Sequence, residues 1–250
     1  MNKFLKKFCG IFGYKLFPKN YIKNKNYLLK FSSLNLEKII SELAEKKIIS
    51  SLIQIGANDG VSHDHIHNII KKFKLESLLL EPIKKYFSLL EKNYSSYENV
   101  KLENSVLSTN SEILFLYKVN PEYFNKYGTL SNGISSFYKE HLLKHGIKEK
   151  HIIQEKVNQI SFEELLKKYS ISKFDLLLVD AEGYDCHIVN DFFFKIKKIR
   201  PIIIFEWSHI KNIEFENTLN IIIKNNYSFF PIGDDIFCFP IEKNISLQLN

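Results

Sequence analysis

Carboxylates and glycines gather at four places in this sequence, each just after a short apolar run. They are Gly56-Ala57-Asn58-Asp59-Gly60, Glu81-Pro82, Asp180-Ala181-Glu182-Gly183 and Glu206-Trp207. Glycines at 56 and 60 let a chain bend tightly and pass close to a ligand without Cβ interference. The turn is neither the Gly-x-Gly-x-x-Gly dinucleotide fingerprint nor a phosphate loop, since no Gly-Lys-Ser/Thr follows it. Glu81 stands 25 positions after Gly56, where an acid in a βαβ unit takes the hydroxyls of a ribose. Together these features favour an adenosine ligand without a pyrophosphate. A plain turn and a carboxylate opening a helix are the alternative. Asp180 and Glu182 are the first candidates for a general base, with Glu206 and His209 next. The competing role for Asp180 and Glu182 is to cap the following helix.

The elements that must position these groups alternate. Leu36, Ile39, Ile40 and Leu43 predict a helix, and residues 50–55 a buried strand. Ile66, Ile69, Ile70 and Phe73 predict the next helix, residues 78–80 a strand, and Ile83, Phe87 and Leu90 another helix. Strands are predicted at 100–107 and 112–119. Regular alternation resumes after Val157, with Ser161 and Glu164 as a capping box. A strand at 174–179 precedes a helix reaching about Lys198, then a strand at 201–205 and a helix from about Phe215 to Lys224. Gly233-Asp234-Asp235 joins two final strands, 227–232 and 236–239, as an antiparallel hairpin. This alternation is the pattern of a parallel α/β sheet. Ligands of such sheets bind beyond the carboxyl ends of the strands, so the four clusters should converge on one rim.

Residues 120–151 are polar, rich in aromatics and long for a connection, which suggests an insertion or lid. Tyr123, Phe124, Tyr127, Phe137 and Tyr138 would either face an acceptor or staple the loop to itself. Phe192, Phe193 and Phe194 are expected to pack in the core.

With 250 residues, 45% hydrophobic and 25% charged, the chain is globular in composition. Aromatics at 14%, with 9 Gly and 6 Pro, exclude a disordered or collagen-like chain. No apolar run approaches the ~18 residues of a bilayer span. The net charge is +7, yet Arg200 is the only arginine, and the scattered lysines lack the fork that reads bases. A nucleic-acid partner is therefore not expected. Cys9, Cys186 and Cys238 show neither disulfide nor metal spacing, which suits a reducing cytoplasm. Phe4, Leu5, Phe8, Ile11 and Phe12 form an apolar face beside Lys3, Lys6 and Lys7. Residues 1–34 thus read as an arm that either packs on a domain spanning 35–250 or lies on the inner face of a membrane. No metal is expected. Asp180, Glu182 and Glu206 would offer oxygens to Mg²⁺, but spacing fixes no further ligand. Of His63, His65 and His67, only the first and last share a helical face, and no thiolate accompanies them. His63 or Asp64 is instead expected at the mouth of the ligand site.

The stretches Ile-Gln-Ile-Gly-Ala-Asn-Asp-Gly (53–60), Leu-Leu-Leu-Glu-Pro (78–82), Val-Asp-Ala-Glu-Gly-Tyr-Asp (179–185) and Ile-Ile-Phe-Glu (203–206) resemble the FkbM family of S-adenosylmethionine-dependent methyltransferases. The resemblance covers residues 48–240. It implies a class I methyltransferase fold, Rossmann-like: a mostly parallel seven-stranded sheet, its last strand antiparallel, with helices on both faces. It also implies O-methylation of a hydroxyl, in pathways that decorate surface polysaccharides or secondary metabolites; the acceptor expected here is a sugar of a surface polysaccharide or its precursor. On this resemblance Gly56, Asn58, Asp59 and Gly60 line the methionine part of the cofactor, with Asp180 nearby. Glu81 beside Pro82 holds the ribose, Asn104 and Ser105 flank the adenine, and Ser136 faces cofactor or acceptor. Class I enzymes often carry an acid where Gln54 stands, so Asp59 is the substitute partner for the cofactor's amino group. A lysine is frequent where Leu178 stands. These departures keep a non-catalytic cofactor-binding protein as one alternative, and the net charge keeps a nucleic-acid methyltransferase as another.

Overall fold

The computed structural model describes residues 35–62, 64, 66–108, 114–128 and 133–243. The basic amphipathic segment, Cys9, His63 and His65 lie outside the described residues. Among those described, no helix is long and apolar enough to cross a membrane.

Twelve strands are described, β1 (Ser51–Ile55), β2 (Glu76–Leu80), β3 (Val100–Glu103), β4 (Val106–Leu107), β5 (Leu114–Val119), β6 (Ser135–Ser136), β7 (Ile152–Val157), β8 (Gln159–Ile160), β9 (Leu176–Val179), β10 (Ile202–Glu206), β11 (Tyr227–Ile232) and β12 (Asp235–Pro240). Seven of them form one sheet in the order β11-β12-β10-β9-β1-β2-β3. Neighbours from β3 through β10 are parallel, and β12 runs antiparallel to both of its neighbours. This is the class I methyltransferase arrangement that the family resemblance implies.

Side chains on a strand alternate between faces. Ile53, Ile55, Leu177, Val179, Ile203 and Phe205 therefore join one core. Leu52, Leu79, Leu176, Leu178, Ile202 and Ile204 join the other. Helices Phe162–Lys168, Asp185–Lys195 and Asn212–Lys224 cover the first face through Phe162, Phe192 and Phe215. Helices Leu36–Glu45, His67–Phe73 and Lys84–Tyr94 cover the second through Ile39, Ile70 and Leu90. Burial on both faces explains why these strands read as unbroken apolar runs. The capping box at Ser161 and Glu164 forms as its sequence predicts.

Three details differ from the sequence reading. The strand expected over 100–107 breaks at Asn104-Ser105, so that β3 ends on the main sheet and β4 pairs with β8. The Asn104 side chain donates to the carbonyls of Glu81 and Pro82 at 2.8 and 3.1 Å, holding the chain at that break. The described residues of 120–151 are built rather than irregular. They carry helices Phe124–Tyr127 and Lys139–Lys144, and their β6 joins β5 and β7 in a three-stranded antiparallel sheet. Finally, Phe192 and Phe193 are buried but Phe194 is 70% exposed. Successive helical residues are about 100° apart, so three in a row cannot all face one core.

Phe192→Ala is accordingly expected to lower the unfolding free energy by about 3–5 kcal/mol. Phe194→Ala should change it by less than about 0.5 kcal/mol. Urea unfolding midpoints of the two variants check both values.

Candidate active site

The strand order reverses at β1, whose neighbours are β2 on one side and β9 on the other. A crevice is expected beyond the strand ends at such a switch point. A cavity of about 380 Å³ opens there, lined by residues of all four clusters, among them Gly56, Asn58, Glu81, Asp180, Glu182 and Glu206. Its size falls in the range of small-molecule sites. Further wall is supplied by Gln54, Pro82, Ser105, Leu178, His209 and, from the 120–151 stretch, Gly133, Phe137 and His145.

The glycine turn is dictated by backbone contact. Gly56 has φ +84°, and a Cβ there would stand 1.9 Å from the carbonyl oxygen of Asp180. Gly56 and Ala57 N–H groups both donate to the Leu80 carbonyl, at 3.0 and 2.8 Å, which ties the ends of β1 and β2 together. Asn58 follows in the left-handed region at φ +50°, and its N–H donates to Glu81 Oε2 at 2.9 Å. The other oxygen, Oε1, accepts from Ile83 N–H at 2.8 Å. Burial pushes the Glu81 carboxyl up to about 7, against the pull of these two N–H groups.

The second corner is the turn after β9. Asp180 N–H continues the β1 ladder by donating to Ile55 O at 2.9 Å. Asp185 is wholly buried, and its two oxygens accept from Ala181 and Gly183 N–H, each at 3.1 Å. Burial raises its carboxyl to about 8. Asp180 is raised well above the ordinary carboxylate value, first by its depth in the protein and then by the charges of Glu182, Asp185, Glu206 and Asp235. Its side chain is open to water through the cavity, which moderates that rise. Glu206 is also raised, chiefly by burial, and Ser208 donates to it. His209 Nε2 lies 3.3 Å from the same Glu206 oxygen.

Not every predicted residue lines the cavity. Asp59 turns its carboxylate onto its own loop, accepting from Val61 and Ser62 N–H at 2.9 and 2.7 Å and from the Ser62 hydroxyl. Gly60 faces the core, where a Cβ would stand 2.4 Å from Leu90 and 2.5 Å from Tyr94. Asn104 braces the Glu81-Pro82 backbone, as described above. Ser136 is buried and donates to the Glu182 carbonyl at 2.7 Å, a strut under the second corner. Ser105 does reach the cavity wall and donates to Glu103. Asp64 also lies on the wall. Three aromatics of the 120–151 stretch differ in their surroundings. Tyr123 stacks on His151 at 3.8 Å and Tyr127 hydrogen-bonds it, so both fasten the stretch to itself, whereas Phe137 lines the cavity.

Four features escape the sequence reading. Asp185 stands inside a quoted motif without a role. Gln54 lines the cavity with its buried Oε1 lacking any hydrogen-bond partner among the described residues. His141 and His145 approach the second corner, with His141 Nε2 2.7 Å from Glu182 Oε2. Their spacing of four on one helix was the available signal.

Residues 54–229 match the FkbM methyltransferase domain. The chain belongs to the FkbM methyltransferase family. It is an S-adenosylmethionine-dependent methyltransferase of class I fold. An FkbM methyltransferase from Methylobacillus flagellatus KT is similar at 11% identity and a TM-score of 0.46, over 77% of this chain and 44% of that one. The chain thus spans less than half of that protein's length. An O-methyltransferase from Bacillus cereus, solved in complex with SAH, is similar at 11% identity and a TM-score of 0.42, over 94% and 96% of the two chains. The ribosomal protein L11 methylase of Lactobacillus delbrueckii subsp. bulgaricus is similar at 10% identity and a TM-score of 0.39, over 81% and 75%. No curated protein sequence matches the chain.

The residues present fit the family's cofactor. The cavity offers a buried acceptor without a donor at Gln54, a carboxyl held by backbone at Glu81, and a turn free of Cβ at Gly56. Near pH 5 the raised carboxyl is protonated and offers a single carbonyl acceptor, as Asn does, so Asp185→Asn is expected to cost less than about 1 kcal/mol there. The wild-type carboxyl is raised on folding, so its stabilisation is complete below the unfolded pKa and fades as pH rises through about 8. Urea unfolding from pH 5 to 9 should therefore show wild type losing stability relative to the variant as pH rises, and then levelling above about 8.

Proposed function

We propose that this enzyme transfers the methyl group of S-adenosylmethionine to a hydroxyl of a sugar, in a surface polysaccharide or its precursor. The observation that carries the reading is the meeting of a nucleoside-type corner, Gly56 to Glu81, with a wall of carboxylates, Asp180, Glu182 and Glu206, in one cavity. When bound, S-adenosylmethionine supplies a methyl group already activated on a sulfonium sulfur. The protein's task is then alignment and removal of one proton.

Glu81 accepts from the ribose hydroxyls, Gly56 and Asn58 flank the methionine part, and Ser105 borders the adenine. Gln54 Oε1 and Asp180 take the amino group in place of Asp59, whose oxygens are committed to its own turn. On the acceptor side Asp180 and Glu182 stand first as bases, with Glu206 and His209 behind them. A carboxyl raised toward neutrality is well matched to a hydroxyl donor. The proton passes to a carboxylate oxygen as the acceptor oxygen approaches the methyl carbon.

The same wall argues for a neutral, hydroxyl-rich acceptor. Carboxylates and imidazoles hydrogen-bond hydroxyls, while Asp180, Glu182, Glu206 and Asp235 repel phosphates. Arg200 is engaged elsewhere, pairing with Glu242 and donating to the carbonyls of Asn225 and Asn226. Phe137 supplies an apolar face for a sugar ring, and residues 120–151 form the acceptor lid. The arm at 1–34, with Lys3, Lys6 and Lys7, keeps the enzyme beside a membrane-borne precursor on the cytoplasmic side.

Ribose hydroxyls donate better to an ionised Glu81. Affinity for S-adenosylmethionine is thus expected to rise with pH up to about 7 and then level. Glu81→Gln should weaken binding by at least about tenfold and flatten that rise; calorimetry from pH 5.5 to 8.5 reads both. For the acceptor, labelled S-adenosylmethionine offered with hexosides, nucleotide sugars and oligonucleotides should give methyl ethers of the sugars. Methylation of oligonucleotides alone, or bound cofactor without transfer to any sugar, would contradict the reading.

A further inference from the structure

Three imidazoles crowd together where the insertion meets the second corner. His141 and His145 lie on successive turns of Lys139–Lys144 and its C-cap, and His209 follows β10. Their ring centroids are 4.6 Å (His141 to His209), 4.7 Å (His141 to His145) and 5.0 Å (His145 to His209) apart. One ligand atom from each of the three lies within 4.8 Å of the other two. A second set, Glu182, Glu206 and His209, satisfies the same limit and shares His209 with the first.

We propose that His141, His145 and His209, completed by Glu182 or Glu206, bind one divalent transition-metal ion of the Zn²⁺ class at the cavity wall. Imidazole and carboxylate are the donors that such ions take, whereas Mg²⁺ demands near-octahedral oxygen. Zn–N bonds of about 2.0–2.1 Å place tetrahedral nitrogens about 3.4 Å apart. The rings must therefore close by an ångström or so, which rotation about the side-chain bonds of the two exposed histidines, His145 and His209, supplies. His141 is buried against Glu182, and Ser136 holds the Glu182 carbonyl from below. The Ser136 strut steadies the turn that carries Glu182, whose carboxylate already meets His141 and would share the ion with it. Because His145, His209, Glu182 and Glu206 all line the cavity, the ion would face it. There it would lower the pKa of an acceptor hydroxyl and leave Asp180 as the base, a role that rests on the methyl-transfer reading, as the binding itself does not.

The test uses the untagged full-length chain, stripped with a chelator and titrated with Co²⁺ as a visible probe. One equivalent should bind with the d–d absorption of a four- or five-coordinate nitrogen site, and Zn²⁺ should abolish that absorption. Changes merely outside the ligand set cost about 10–100-fold in metal affinity, so His145→Ala should weaken Co²⁺ binding by at least about tenfold. His209→Ala provides the same measurement should the first variant not fold. Titrating S-adenosylmethionine into each sample separates the claims. Cofactor binding without Co²⁺ uptake overturns the metal site and leaves the methyl-transfer reading standing, and Co²⁺ uptake without cofactor binding does the reverse. Unchanged Co²⁺ affinity in either folded variant also overturns the site.

Discussion

At the end of β1 the backbone passes so close to that of β9 that position 56 has no room for a side chain. A Cβ there would stand 1.9 Å from the Asp180 carbonyl oxygen, well inside any tolerable contact. This approach brings the two loops of the site together. Gly56 and Ala57 also donate to the Leu80 carbonyl, so the end of β2 is held at the same point. Asn58 N–H then reaches Glu81, and Asp180 N–H reaches Ile55. Three strand ends are therefore locked by backbone groups, and the side chains that face the cavity inherit a fixed frame. Such a frame suits a reaction in which alignment supplies much of the rate.

The frame also concentrates negative charge. Burial raises Glu81, Asp180, Asp185 and Glu206 above their ordinary values, and the mutual repulsion of the cluster adds to Asp180. A cationic ligand relieves this crowding, and S-adenosylmethionine carries both a sulfonium and an ammonium. Raised carboxyls cluster at functional sites for this physical reason. Asp185 belongs to a different category, since it does not line this cavity and acts by holding the turn that carries Asp180 and Glu182.

Much of the architecture was legible because strands covered on both faces leave continuous apolar runs, and the polar clusters mark where those runs stop. The glycine turn, Glu81 and the Asp180 loop could be read to one rim on that basis alone. What escaped depended on direction rather than type. Asp59, Gly60, Asn104 and Ser136 are the kinds of residue a ligand site uses, yet each points into loop or core, and spacing carries no information about that. The break at Asn104-Ser105 was invisible because its cause, hydrogen bonds to Glu81 and Pro82, is remote in sequence. His141 and His145 were hidden within a stretch whose short helices lack a long apolar period, and only the antiparallel strands around them bring them to Glu182.

Hydrogen exchange followed by mass spectrometry, with and without S-adenosylhomocysteine, tests by location whether one pocket at the β1–β9 junction receives the cofactor. Slowed exchange is expected in the peptides covering 56–60, 81–83 and 180–185 together, because their backbones are coupled at Gly56. Protection confined to other strands, or appearing in only one of these three segments, would contradict such a pocket.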